Sequence, residues 1–198
     1  MAVTRLAMEL AATVRHDGRG GVADDLADLD GFGEWLREHA DLLGEDVDVH
    51  ALARDEDARQ RVVAMRRVVR SLFARMVRPG PPSGADAHRL LDAGEALREL
   101  NTAAGAVLSA PRLEWPDDAR PRMRHAPRAA DPATALIATV ARATIEFLAS
   151  ADSERLRACP APRCVRYFLQ EHPQQAWCKP SCGNRARVAR YHQRHRGR

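Results

Sequence analysis

Cys159, Cys164, Cys178 and Cys182 are the only cysteines in the chain, and they sit together near its end. They form two close pairs, C-x4-C and C-x3-C, with thirteen residues between the pairs. A Zn2+ ion takes four ligands at tetrahedral corners, and two short thiolate knuckles joined by a folded-back connector supply that set. Four sulfurs close the coordination sphere, so the implied cofactor is one structural zinc with no position left for water or substrate. Two other chemistries fit four cysteines: a pair of disulfides, or free redox thiols. Disulfides ask for export, and the opening stretch carries Arg5 and Glu9 with no continuous apolar run of the secretory kind. His172, His192 and His195 are spare donors beside four sulfurs that already suffice.

The residues after the fourth cysteine point to a second chemistry. Pro180-Ser181-Cys182 reads as a helix start with Ser181 as its cap, and Gly183 lets the backbone turn tightly beneath the metal. Helical spacing then aligns Arg187, Arg190 and Arg194 outward, with Arg198 beyond and Arg185 and Arg196 at the borders. Val188 and Tyr191 are expected to pack on Trp177 or on the strands of the module. Arginines along a helix can track phosphates, and one or two can reach guanine edges in a major groove. Asn184 has two readings, an adenine reader or a binder of its own backbone. The candidate nucleic-acid set is Lys179, Asn184, Arg185, Arg187, Arg190, Arg194 and Arg196. Charge supports a polyanion partner for this part alone. From Cys159 onward nine Lys/Arg face one acid, Glu171, whereas the rest holds twenty-two Lys/Arg and twenty-six acids.

Trp177-Cys178 and Cys182-Gly183-Asn184-Arg185, preceded by Cys159 and Cys164, resemble the CGNR zinc finger. That module closes bacterial proteins whose N-terminal part is the ABATE domain. The resemblance implies a stress-linked transcription regulator whose finger binds DNA. Over the body it rests on helix order, on Trp35-Leu36 after an acidic stretch, and on Leu100-Asn101. Two departures stand out. The family's early Asn-Thr pair reads Ala12-Thr13, and the usually basic connector reads Gln170-Glu171-His172-Pro173-Gln174-Gln175-Ala176.

The elements that must carry this module are mostly helical. Leu6, Leu10 and Val14 stripe a first helix, and Asp30 caps a second in which Phe32, Trp35, Leu36 and His39 share a face. Asp55 to about Val77 is the longest helix, with Val62, Met65, Val69, Leu72, Phe73 and Met76 inward. Its Arg61, Arg66, Arg67, Arg70, Arg75 and Arg78 read as a solvated face paired with acids, or as a second anion surface. Pro79 to Gly84 breaks the chain, and Asp86 starts a fourth helix with Leu90, Leu91, Leu97, Leu100, Ala104 and Leu108 inward. Its Gly94 and Gly105 would permit close helix contact. Alternation between Arg112 and Arg128 predicts a hairpin, and Asp131-Pro132 opens a fifth helix. A short helical link leads to Cys159, and Tyr167-Phe168-Leu169 forms a strand beside the metal.

The expected fold is mainly α: a helical ABATE-like domain over 1–155 with a small β-hairpin, then a four-cysteine zinc-finger module over 156–198 ending in a basic helix. No window approaches eighteen apolar residues, so no membrane span is expected, and the default address is the cytoplasm. A phosphate-binding glycine loop, a nucleophile elbow and an acid pair beside a histidine are all missing from the pattern, so no enzyme is expected. The expected partner is DNA, with RNA second. The body would take a small-molecule effector or form a homodimer. A thiol and zinc redox sensor and a zinc-stabilised protein-interaction module remain as alternative functions.

Overall fold

A computed structural model describes residues 2–17, 21–44, 47–86, 89–127 and 130–195. Arg196 and Arg198, and Gly18 to Gly20 of the first predicted turn, lie outside the described residues. The body runs α1 (Ala2–Ala12), β1 (Val14–His16), β2 (Val22–Asp24), α2 (Leu29–Glu38), the short α3 (Ala40–Leu43) and α4 (Val49–Leu52), then α5 (Glu56–Met76) and α6 (Ala93–Gly105). A hairpin of β3 (Ser109–Glu114) and β4 (Arg122–Pro127) and the helix α7 (Pro132–Ala149) complete it. After a 3-10 turn at Ala151–Arg155 come β5 (Leu156–Ala158), β6 (Tyr167–Leu169) and α8 (Pro180–His195). The sheets among the described residues are three antiparallel two-stranded pairs, β1 with β2, β3 with β4 and β5 with β6.

Aspartates start these helices. Asp28, Asp55, Asp92 and Asp131 each accept a hydrogen bond from a backbone amide of the first turn, which satisfies a donor the helix leaves orphaned. Apolar faces then meet on α7, which packs against α1, α5 and α6. Leu6, Leu10, Phe32, Leu36, Val62, Phe73, Leu136 and Phe147 are at most 1% exposed. Phe73 meets Phe147 edge-on at 5.3 Å and Tyr167 at 5.6 Å, so a residue of β6 enters the body's core. By length and composition α7 is apolar enough to cross a bilayer, contrary to the expectation that no stretch would be. Half of it is buried among the other helices, as befits the core helix of a bundle.

Several boundaries differ from expectation for local reasons. The first helix stops at Ala12, because the Thr13 hydroxyl donates to Leu10 O at 2.8 Å and Val14–His16 pairs with Val22–Asp24. Asp28, not Asp30, caps α2. The fourth helix begins at Ala93, since Asp86 is buried on Arg70 and Asp92 takes the capping role. Leu97 and Leu108 are consequently exposed, and no neighbour approaches Gly105. The arginine series of α5 is not a uniformly solvated face: Arg66 and Arg70 are buried. The predicted hairpin is present with an earlier start, and its cross-strand pair Leu113 and Met123 faces solvent, as does Trp115.

Candidate metal centre and basic helix

β5 and β6 pair Leu156 with Leu169 and Ala158 with Tyr167, which sets Cys159 at the end of one strand. The Cys159 amide donates to Arg166 O, and the Cys164 amide to Ala161 O, folding the first knuckle. Arg163 inside it adopts φ 62°, a left-handed conformation that L residues reach at a cost. The first turn of α8 delivers Cys182, wholly buried.

All four Sγ atoms lie within 4.8 Å of one another. The Cys164–Cys178, Cys178–Cys182 and Cys164–Cys182 separations are 3.7, 3.5 and 3.8 Å. A tetrahedron with Zn–S bonds of about 2.3 Å has edges of about 3.8 Å, so these residues fit one zinc ion. The surroundings suit thiolates. Arg185 Nη2 lies 3.2 Å from Cys182 Sγ, and the Cys178 amide donates to Cys159 Sγ at 3.5 Å. Hydrogen bonds from Cys164 and Cys178 hold Cys159 down to about 3, while the bonds to Cys159 and Cys164 push Cys178 up. Cys159 is thus ready to give up its proton to a metal.

Phe168, Ala161 and Trp177 pack around the sulfurs. Trp177 covers the cluster as expected, but Gly183 serves another purpose than a tight turn. It lies within α8, and a Cβ there would meet Trp177 Cδ1 at 3.0 Å. Ser181 likewise sits inside the helix, which begins at Pro180. The connector is tied by its own glutamines: Gln170 Nε2 donates to the Pro173 and Gln175 carbonyls, and Gln175 Oε1 accepts from the Glu171 amide at 2.7 Å.

A buried network joins this module to the body. Arg70 Nε donates to Asp86 Oδ1 at 2.7 Å, and its Nη2 reaches Val165 O at 3.0 Å, one residue past Cys164. The Ser83 hydroxyl also donates to Val165 O, and the Tyr167 hydroxyl donates to Asp86 Oδ2, both at 2.8 Å. Arg70 also donates to Ala11 O and lies over the Tyr167 ring. Sequence reasoning missed these residues. The one sequence signal was an arginine within the apolar arc of a long amphipathic helix.

The basic helix divides its predicted residues. Arg187, Arg190 and Arg194 line one shallow depression of about 570 Å³ together with Val188 and Tyr191. Val188 is 55% and Tyr191 58% exposed, so they do not pack on the finger; they interleave with the arginines. Tyr191 stacks on His195 at 4.1 Å. Arg185 departs from the expected set, since its guanidinium faces the Cys182 sulfur and its side chain is half-buried. Asn184 accepts a hydrogen bond from Arg187. Lys179 is exposed between Cys178 and Pro180. Arg196 lies outside the described residues. Among the described residues no acid pairs with Arg187, Arg190 or Arg194, whereas Arg59, Arg61, Arg66, Arg70 and Arg155 of the preceding chain all have acidic partners.

Comparison with known families gives two matches. Residues 4–151 match the family model ABATE, described as "Putative stress-induced transcription regulator", and residues 155–195 match the CGNR zinc finger. No curated protein matches the chain.

Proposed function

The chain belongs to the ABATE family and ends in a CGNR zinc finger, and from that premise we propose that it is a cytoplasmic, non-enzymatic transcription regulator that binds DNA through α8. One observation carries this reading: Arg187, Arg190 and Arg194 share an exposed face without acidic partners among the described residues, whereas the buried Arg66 and Arg70 of the body are each paired with an aspartate. A zinc held by Cys159, Cys164, Cys178 and Cys182 would supply no chemistry beyond fixing the start of that helix. The three guanidiniums then lie ready for phosphates, and Tyr191 between them offers an aromatic face. In this reading Arg185 offsets part of the negative charge that four thiolates and one Zn2+ carry together, and the body is the half that receives an effector or a second copy.

The test is a salt titration of duplex DNA binding by the full zinc-loaded chain. If the three arginines neutralise three phosphates, Arg187→Ala/Arg190→Ala/Arg194→Ala should flatten the log affinity against log salt slope by roughly 2.7. Arg190→Ala alone should flatten it by about 1 and weaken all sequences alike if it touches phosphate only. Unchanged affinity in the triple variant, with zinc retained, would turn the function from DNA to a protein partner. The exposure of Val188 and Tyr191 among cations favours an acidic protein surface as that second reading.

A further inference from the structure

A cavity of about 730 Å³ opens in the body between the β1–β2 pair, α5, residues 84–86 and the pair Arg89 and Leu90. Its size is that of a small-molecule pocket, which runs from about 300 to 1,000 Å³. Four arginines line it, Arg66, Arg67, Arg70 and Arg89, against one acid, Asp86. Two of those charges are already engaged. Arg66 donates to Asp24 Oδ2 at 2.6 Å, and Arg70 holds Asp86. Arg67 and Arg89 have no acidic partner among the described residues. Arg67 Nε donates to Arg89 O at 2.7 Å, which fixes the first guanidinium close to the second residue. The remaining wall is mostly aliphatic, with Val14, Val22, Val63 and Leu90, and carries one neutral polar side chain, Gln60; Val22 is 53% exposed.

We propose that this cavity is the effector site of the protein and takes a small organic carboxylate with an apolar body. Arg67 and Arg89 would clamp the carboxylate, since planar guanidinium forks match its two oxygens. The valines and Leu90 take the hydrocarbon. The floor gives the site its consequence. Arg70 and Asp86 line the cavity and also hold Val165 O and the Tyr167 hydroxyl, so one layer of side chains separates the ligand from the Cys164 knuckle. A neighbouring cavity of about 370 Å³ shares Val22 and Gly84 and is lined by Cys159 and Cys164. The regulatory meaning rests on the DNA-binding reading; the binding itself does not.

The experiment titrates octanoate, acetate, 1-octanol and octylammonium into the full zinc-loaded protein and follows binding by calorimetry or ligand NMR. Charge clamp and apolar wall both contribute, so octanoate should bind roughly tenfold or more tightly than acetate or 1-octanol, and octylammonium should not bind. Arg67→Ala/Arg89→Ala should weaken octanoate by about tenfold, by loss of charge-assisted hydrogen bonds. Ala64, exposed on α5 at the cavity, gives a variant that leaves the core untouched. Ala64→Glu should abolish octanoate binding by like charge, and Ala64→Gln should keep it. Equal binding of octylammonium or acetate, or octanoate affinity unmoved by these variants, overturns the proposal. Coupling is read by amide hydrogen exchange over residues 159–169, which should change on saturation with octanoate. No change there overturns the link to the finger. A protein that binds octanoate but no DNA keeps the cavity and loses the DNA reading; one that binds DNA but no octanoate does the reverse.

Discussion

A methyl group at position 183 would sit 3.0 Å from Trp177 Cδ1 and 3.3 Å from its Nε1. The indole covers the sulfur cluster, so it cannot retreat without uncovering the site. Gly183→Ala is therefore expected to cost the folded finger about 1–3 kcal/mol, in the range of overpacked interiors. Competition with a chelator should show earlier zinc release in that variant, accompanied by a shift in Trp177 emission. The roles of single residues were unevenly legible. Ligand spacing marks Cys159, Cys164, Cys178 and Cys182, because four thiolates around one ion impose short loops. Glycine at 183 is equally visible, but its reason is a contact across the fold rather than a turn. Arg185 looks like its basic neighbours in the sequence, and only the position of the Cys182 sulfur separates it from them.

At the scale of elements, the periodicity of α5 implies an amphipathic helix with a solvated, acid-paired arginine face; Arg61, Arg66 and Arg70 do find acids, but Arg66 and Arg70 are buried rather than solvated. Periodicity reports which angle a residue takes, not what waits there. Arg66 finds Asp24 and Thr13, and Arg70 finds Asp86, Ser83, Ala11 and Val165. These partners lie on segments whose placement no local pattern announces. The β1–β2 pair was invisible for a related reason, since three-residue strands carry too little alternation to register. Asp86→Ala leaves the Arg70 charge buried and should destabilise the protein by about 3–5 kcal/mol in denaturant unfolding. Hydrogen exchange over residues 164–169 should rise with it. The Asp24 clamp has its own signature. Burial works to raise that carboxyl, but the Arg66 hydrogen bond and the Leu26 amide outweigh it and hold it below the ordinary 3.8. Its contribution is present above that value and is lost as pH falls through the lower folded value. Acid titration of Asp24→Asn should lack the corresponding loss of stability below about pH 4.

At the scale of the whole molecule, body and finger do not part cleanly. Leu156 and Tyr167 belong to the body's core, while Phe168 belongs to the sulfur cluster. Metal binding contributes on the order of 10 kcal/mol to modules of this size, so zinc removal should release α8 and the connector. The strands β5 and β6, held from the body side, should keep their amide protection. The tryptophans can report this separately: Trp35 is 4% exposed, Trp115 is 68% exposed, and Trp177 lies against the cysteines. Chelation should move the emission of Trp177 alone, and single-tryptophan variants would verify it. One further consequence follows from Lys179, exposed beside Cys178 at the head of α8 and the only lysine in the chain. Acylating reagents meet just one side-chain amine in this protein. A fluorophore coupled through it would sit at the metal knuckle once the more acidic backbone α-amine has been blocked near neutral pH, without any engineered handle.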